Sequence, residues 1–442
     1  MPEPLTTRAL DAARLPNGGL DTTALFLALA GSFEDVFWLD AGSDAAKGWS
    51  FLGTGVRDAA PRDVRLDTTD HGGIPFTGAI PFSGGWVGWF DYETGAGRAG
   101  APTAPADGGA WLRTTRIAAI EHSTGRVWAL AADDELEEWA AFVAEPRAAA
   151  SVEPIGITED ADARHTPAQY RELIERCRDH IRAGAAYQLC LTTRFTVPGE
   201  HDPVAAYLRL RSETPAHHGG FLRIGGRALL SASPEQFLDV RGSAVRTKPI
   251  KGTRPRGADT ETDAALAAEL VADEKERAEN VMIVDLMRND LSRVCVPGSI
   301  RVDALWQVES YPAVHQLVST VSGTVAPGTT LADLLEAAFP AGSMTGAPKL
   351  SAMTLLHDLE GGPRGIYAGC FGYVGANGAL DLAMVIRSIV VDADQAVVGA
   401  GGGITWRSIA AAETAEVAIK ARAPLAALGA RTPALWRSDI LN

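Results

Sequence analysis

The chain has 442 residues, 46% of them hydrophobic, enough to bury the cores of two or three average domains. Its 40 basic against 55 acidic residues give a net charge of −15, which argues against nucleic acid as the main partner and requires any anionic ligand to be met by locally placed cations and backbone N–H groups. No stretch reaches the roughly 18 apolar residues of a membrane span. Met1–Leu15 carries no secretion-signal pattern, and Cys177, Cys190, Cys295 and Cys370 form no CxxC pair, so a reducing cytoplasm is expected.

In chain order, the first third is rich in Gly, Ala and Pro. Ala79–Asp91 reads as a strand around Gly84-Gly85 with Trp86, Trp89 and Phe90; Val127–Ala131 reads as another. Gly97–Ala110 is a small-residue loop, and the acidic run Asp133–Glu138 begins a solvated helix. Composition turns polar and acidic at Glu153–Asp162, which reads as a linker between an N-terminal subdomain (1–155) and a catalytic domain (160–430). Thr166 as N-cap with Pro167 at the first helical position opens a helix that stops at Gly184.

Tyr187–Val197 alternates like a strand, and Leu222–Val245 reads as strand, turn, strand, with turns at Gly225-Gly226 and Gly242-Ser243. Leu266–Leu286 is predicted as one long helix, Leu331–Phe339 and Lys349–Leu359 as shorter ones, and Ile409–Leu428 as the last. Tyr367–Val374, Leu382–Val391 and Ala396–Ala400 are predicted strands. Strands and helices mix without a βαβ rhythm, so the fold class is α+β with antiparallel sheet.

Five features carry chemistry. Glu276 and Glu279 are three apart on one predicted helix, and Glu413 and Glu416 on another; such pairs share a helix face and two facing helices could hold magnesium, although Glu is also common on plain solvated helices. Lys420, four residues after Glu416, could pair with it or reach an anionic ligand. Gly401-Gly402-Gly403 could bring backbone N–H groups to an anion, or simply form a tight turn. Arg387 lies in an apolar strand, where its planar fork suits a carboxylate. Lys251, between Pro249-Ile250 and Gly252, is a possible nucleophile if desolvated, and Glu235 across the hairpin a possible general acid; an exposed turn lysine is the plainer reading.

Together these motifs resemble the chorismate-utilising enzymes, which include anthranilate synthase large subunit, aminodeoxychorismate synthase, isochorismate synthase and salicylate synthase. The carrying stretches are SPEQFL, PIKGTRPRG, AENVMIVDLMRNDLSRV, VHQLVSTVSG, FPAGSMTGAPK, YAGCFGYV, MVIRS and GAGGGIT, in the family's order; the resemblance covers roughly residues 165–428, with a weaker match at GGWVGWFDYE. It implies a large antiparallel sheet with helices outside. It implies that Glu279 and Glu416 coordinate Mg2+ with Glu276 and Glu413 supporting through water. It further implies that Arg387, Tyr367 and the N–H groups of Gly401 to Gly403 bind a substrate carboxylate, and that Lys420 and Ser343 contact the ligand.

Two positions point within the family. PIKGT places Lys251 as in aminodeoxychorismate synthases, where the resemblance implies attack of the amine at ring C2, expulsion of the C4 hydroxyl with Glu235 as acid, and addition of ammonia at C4. Gln188 in YQLCL stands where isochorismate and salicylate synthases carry a Lys that activates water; a neutral amide cannot be that base. One position departs: many members have His before LVS, here Gln316, with His315 one residue off and therefore on the opposite face of an extended segment. No Gly-x-Cys-x-Gly elbow of a glutaminase and no lyase module is read, so ammonia from a separate glutamine amidotransferase and a separate lyase towards p-aminobenzoate are expected. Related N-terminal halves hold a tryptophan site. The competing readings are an anthranilate (or 2-amino-2-deoxyisochorismate) synthase large subunit, and a silent chorismate-binding subunit.

Overall fold

The computed structural model describes residues 5–10, 20–43, 45–66, 80–106, 108–148, 152–311 and 314–438. Twenty of the described strands join one antiparallel network that forks at Ala110–Glu121. One edge of that long strand pairs with Trp49–Asp58 and starts a limb through Val36–Asp40, His218–Ile224, Arg227–Ser233, Ser388–Val391, Gln395–Ile404 and Gln188–Pro198. Its other edge pairs with Gly85–Phe90 and starts a second limb through Cys370–Gly375, Leu380–Met384, Gln236–Arg241, Ala244–Thr247 and Val314–Thr324. The segments before and after residue 155 are therefore stitched into the same sheet.

Side chains alternate between strand faces, and here both faces are covered. Leu222, Leu229, Phe371 and Tyr373 join an apolar cluster drawn from both limbs, so it lies between them. Their neighbours Phe221 and Leu230 face the helices Thr22–Ser32, Pro167–Arg182, Pro203–Glu213 and Ala410–Ala427, while Cys370 and Val374 face Glu274–Ser292 and Leu331–Ala338. The fold is α+β with helices outside the sheets, as expected. Among the described residues no helix is long and apolar enough to cross a membrane.

Several predicted elements differ in ways that matter for the site. Leu266–Leu286 is two helices, Thr260–Ala272 and Glu274–Ser292, because Asp273 takes an extended conformation and its carboxylate accepts from the N–H groups of Lys275 and Glu276. That capping bond outcompetes helix continuation. Leu382–Val391 is two strands, Leu380–Met384 and Ser388–Val391, interrupted at Arg387, which has φ 52°. Leu222–Val245 contains a further break at Pro234-Glu235, between Arg227–Ser233 and Gln236–Arg241. Tyr367 precedes its strand, which starts at Cys370 after Ala368 at φ 65°. Gly97 and Arg98 close the helix Tyr92–Arg98 rather than opening a loop. The predicted strand Ala79–Asp91 is seen as Gly85–Phe90; Ala79 is outside the described residues.

Candidate active site

Lys251 owes its direction to a β-bulge. Strand Ile250–Pro255 pairs with Val314–Thr324, but Ile250 faces Val318 and Thr253 faces Gln316, so Lys251 and Gly252 together oppose Leu317. A bulge bends the strand and re-aims a side chain. Gly252 takes φ 83°, and a Cβ there would lie 2.8 Å from Leu270 and 3.1 Å from the Glu276 carboxyl carbon, so only glycine suits the turn. Lys251 Nζ is thereby brought near Gly403, at 3.3 Å from where a Cβ on that residue would stand.

Glu235 sits in the break between two strands, buried, with Oε1 accepting a 2.9 Å hydrogen bond from Ser343 Oγ. Burial pushes its carboxyl up to about 7, against the downward pull of Ser343, Lys251 and Lys420. It is thus poised to donate a proton near neutrality. Ser343 comes from the short helical turn Gly342–Met344.

The four paired glutamates converge from two helices. Lys275 reaches between them: its Nζ is 3.8 Å from Glu279 Oε1 and 3.7 Å from Glu413 Oε1. Glu413 Oε1 also accepts from Ser408 Oγ at 2.8 Å. Burial raises the carboxyls of Glu276 and Glu279 above the usual glutamate value. Burial also lifts Glu416, but Lys420, Lys251 and Lys275 outweigh it and hold its carboxyl below that value. Glu279 Oε1 is buried with no hydrogen-bond partner. The donor set is oxygen-only and anionic, which fits a hard divalent cation. Among the described residues no three His, Cys, Asp or Glu side chains gather tightly enough to hold a metal unaided. Such a cation would therefore draw part of its shell from water and ligand. Arg277, two residues on, stacks 3.8 Å over the Trp306 ring.

The three glycines are strand, not loop: Gly401, Gly402 and Gly403 lie within Gln395–Ile404, opposite Thr192, Leu191 and Cys190. The N–H groups of Cys190 and Thr192 turn away to Thr345 and Glu360, so the cross-strand bonds run through Leu191 and Gly402. Gly401 and Gly403 consequently point their N–H groups to the opposite edge, where Lys420 Nζ donates to the Gly401 carbonyl at 2.9 Å. Gly402 contributes closeness instead, since a Cβ there would be 3.4 Å from Glu413 Oε2. Lys420 also makes the simple i,i+4 pair with Glu416, at 2.7 Å.

Two buried glutamine amides lack partners among the described residues, and one of them, Gln188, stands at this strand edge. Gln188 is fully buried with both amide atoms unsatisfied, its Nε2 2.7 Å from the Cβ position of Gly403. Gln316 is buried with Oε1 unsatisfied. His315 is committed elsewhere, Nε2 2.9 Å from Asp263 Oδ1 and Nδ1 2.8 Å from Ser310 Oγ, so it does not stand in at position 316. Arg387 makes no ion pair among the described residues, and burial lowers its guanidinium pKa. Tyr367, whose hydroxyl burial pushes up, lays its ring against Gly399: a Cβ there would fall 2.1 Å from the ring. Buried groups left unsatisfied by the protein are what a polar, anionic ligand would complete. Ser408 was not singled out from the sequence; the GAGGGIT stretch just before it was.

A cavity of about 710 Å3 lies elsewhere, between Asp40, Lys47, Trp49, His218, Tyr311 and Asp381. Catalytic chemistry is better placed at the Lys251 site, because there a nucleophile, an acid and the unsatisfied amide of Gln188 converge.

A profile of the family described as chorismate binding enzyme matches residues 39–426. An aminodeoxychorismate synthase of Streptomyces pristinaespiralis is 39% identical over 92% of this chain, which spans 64% of that relative's length. Anthranilate synthase component 1 of Streptomyces coelicolor is 40% identical over 80% of this chain and 74% of its own. The crystal structure of anthranilate synthase component I from Streptococcus pneumoniae superposes with a TM-score of 0.71 at 28% identity, covering 95% of this chain and 92% of that one.

Proposed function

The chain belongs to the chorismate binding enzyme family, and on that premise we propose that it converts chorismate and ammonia to 4-amino-4-deoxychorismate. The observation that carries this reading is Lys251, lifted by its bulge beside Gly403 and close enough in charge to act on Glu235, Glu276, Glu279 and Glu416. The Lys251 amine attacks ring C2 as the C4 hydroxyl departs, and Glu235 gives that hydroxyl its proton, releasing water. Ammonia then adds at C4, the bond from C2 to Lys251 breaks, and the surplus ammonium proton returns to Glu235. A C–O bond is exchanged for a C–N bond at C4, and both protein groups end as they began.

Arg387, Tyr367 and the N–H groups of Gly401 and Gly403 would hold one substrate carboxylate. Glu279 and Glu416, with Glu276 and Glu413 through water, would hold a magnesium ion, which supplies an electrophilic anchor for the other. Gln188 offers no base for activating water, which favours ammonia as nucleophile. A separate glutaminase would supply that ammonia in the cytoplasm, and a separate lyase would take the product towards p-aminobenzoate, for folate or a secondary metabolite. The similarity to anthranilate synthase component 1 supports a second reading, in which amination occurs at C2 and pyruvate is eliminated. Gln316 in place of the family's His speaks against that elimination.

Mass spectrometry of products from chorismate, magnesium and ammonium, with and without Lys251→Ala, separates the two. Formation of 4-amino-4-deoxychorismate, lost in the variant, is expected. Anthranilate from the unaltered chain would sink the proposal.

A further inference from the structure

We propose that Arg364 is a positioning residue whose buried guanidinium locks three ligand-bearing segments into one arrangement; the inference rests on the proposed function for the identity of that ligand. Arg364 follows the helix Lys349–Glu360 and is fully buried, its side chain 1% exposed beside Glu360 at 3%. It makes four hydrogen bonds: two to the Glu360 carboxylate at 2.7 and 2.8 Å, one to the Met344 carbonyl at 2.6 Å, and one to the Cys190 carbonyl at 2.9 Å. Its guanidinium carbon lies 4.2 Å from the Tyr92 ring centre. Glu360 in turn accepts the Thr192 N–H at 2.8 Å. The backbone is held as well, since Glu93 accepts from the N–H groups of Arg364 and Gly365 at 2.7 and 2.9 Å.

Each anchor lies next to a residue of the site. Met344 follows Ser343, which bonds Glu235. Cys190 and Thr192 lie opposite Gly403 and Gly401, two and four residues after Gln188 on the same strand. Gly365 lies two residues before Tyr367. Backbone bonds already tie the segment after Ser343 to the Gln188 strand, among them Cys190 N–H to the Thr345 carbonyl at 2.8 Å. The Arg364 cation adds a charge-assisted link between those two segments and joins both to the loop that leads to Tyr367. A buried ion pair is weak evidence for stability by itself. A planar fork that satisfies two carbonyls and a carboxylate at once fixes geometry, which a lysine cannot reproduce.

The test separates positioning from folding. Arg364→Met leaves Glu360 charged and buried, so it is expected to lower the melting temperature. Arg364→Met with Glu360→Gln removes both charges and keeps an acceptor for Thr192, so it should recover most of that loss. Chorismate affinity by calorimetry and KM and kcat are then compared with Arg364→Lys, which keeps the charge without the fork. Positioning predicts that the double variant and Arg364→Lys both show KM raised about tenfold or more, because ångström displacements of contacts are felt strongly. It also predicts that kcat changes less than KM. A KM within about threefold of the unaltered chain in Arg364→Lys, or in a double variant with restored melting temperature, overturns the inference. An unaltered chain that fails to bind chorismate overturns the proposed function instead, and the inference with it.

Discussion

Gly399→Ala is the most informative single change to the ligand wall. The backbone there needs no left-handed conformation, so the whole effect is steric, and the new methyl would stand 2.1, 2.4 and 2.5 Å from three ring carbons of Tyr367. Carbon atoms in contact settle at about 3.5 Å or more, so the ring must withdraw by about 1.4 Å. Tyr367 is only 8% exposed, so the withdrawal is into packed surroundings. Overpacking of this kind costs about 1–3 kcal/mol, which in a chain of 442 residues corresponds to a fall in melting temperature of roughly 1–3 °C. If Tyr367 contacts the substrate, the same displacement should raise KM for chorismate by about 10–100-fold. The assays are differential scanning fluorimetry and steady-state kinetics, with Gly399→Ala/Tyr367→Ala as control. The double variant should be no less stable than Tyr367→Ala alone, since the methyl then meets no ring, and should keep the raised KM. Wild-type melting and wild-type KM in Gly399→Ala would refute the packing; lowered melting with an unchanged KM would remove Tyr367 from the ligand site.

Glu235→Gln should abolish turnover. Because Glu235 is held near 7 in the fold against an ordinary 4.5, the folded state binds its proton more tightly, so its favourable contribution is complete below about 4.5 and lost as pH rises through about 7. The Gln variant, which cannot ionise, should therefore gain stability relative to the parent between those pH values, by up to about 3 kcal/mol in denaturant titrations; a pH-independent difference contradicts the assignment. Lys275→Ala should lower stability by about 0.5–1 kcal/mol in chelator, since Glu279 and Glu413 lose their shared, half-exposed cation. Added magnesium should narrow that gap, and a gap that magnesium widens would count against a cation site there. Asp273→Ala should cost about 1 kcal/mol through loss of the cap on the Glu274–Ser292 helix, read by urea denaturation.

The site was more legible than the fold that builds it. Glu276 with Glu279, and Glu413 with Glu416, could be paired from spacing because helical periodicity is local. Lys251 and Glu235 were legible as types, but not the bulge at Gly252, which is set by the register against Val314–Thr324. Arg387 looked like a strand residue because its neighbours are apolar; its left-handed φ comes from the change of partner between Leu380–Met384 and Ser388–Val391. The glycines looked like a loop because glycine has little strand preference; ten paired positions with Gln188–Pro198 overrule that. Asp273 hid inside a helical pattern since a cap differs from a surface acid only in its backbone angles. The sheet pairs that join Gly85–Phe90 to Cys370–Gly375 have no sequence signature at all.

Those last pairs bear on how the chain is made. Val87 lies opposite Tyr373, so the partner of the Gly85–Phe90 edge leaves the ribosome long after it. At about 5–20 residues per second the wait is on the order of 15–60 s. During that time a Trp- and Phe-bearing strand, GWVGWF, has an open hydrogen-bonding edge. Yield in the cell should accordingly depend on trigger-factor-like holding of the nascent chain and on growth temperature, and changes in the Cys370–Gly375 strand should show first as aggregation of newly made protein rather than as altered kinetics of the folded fraction.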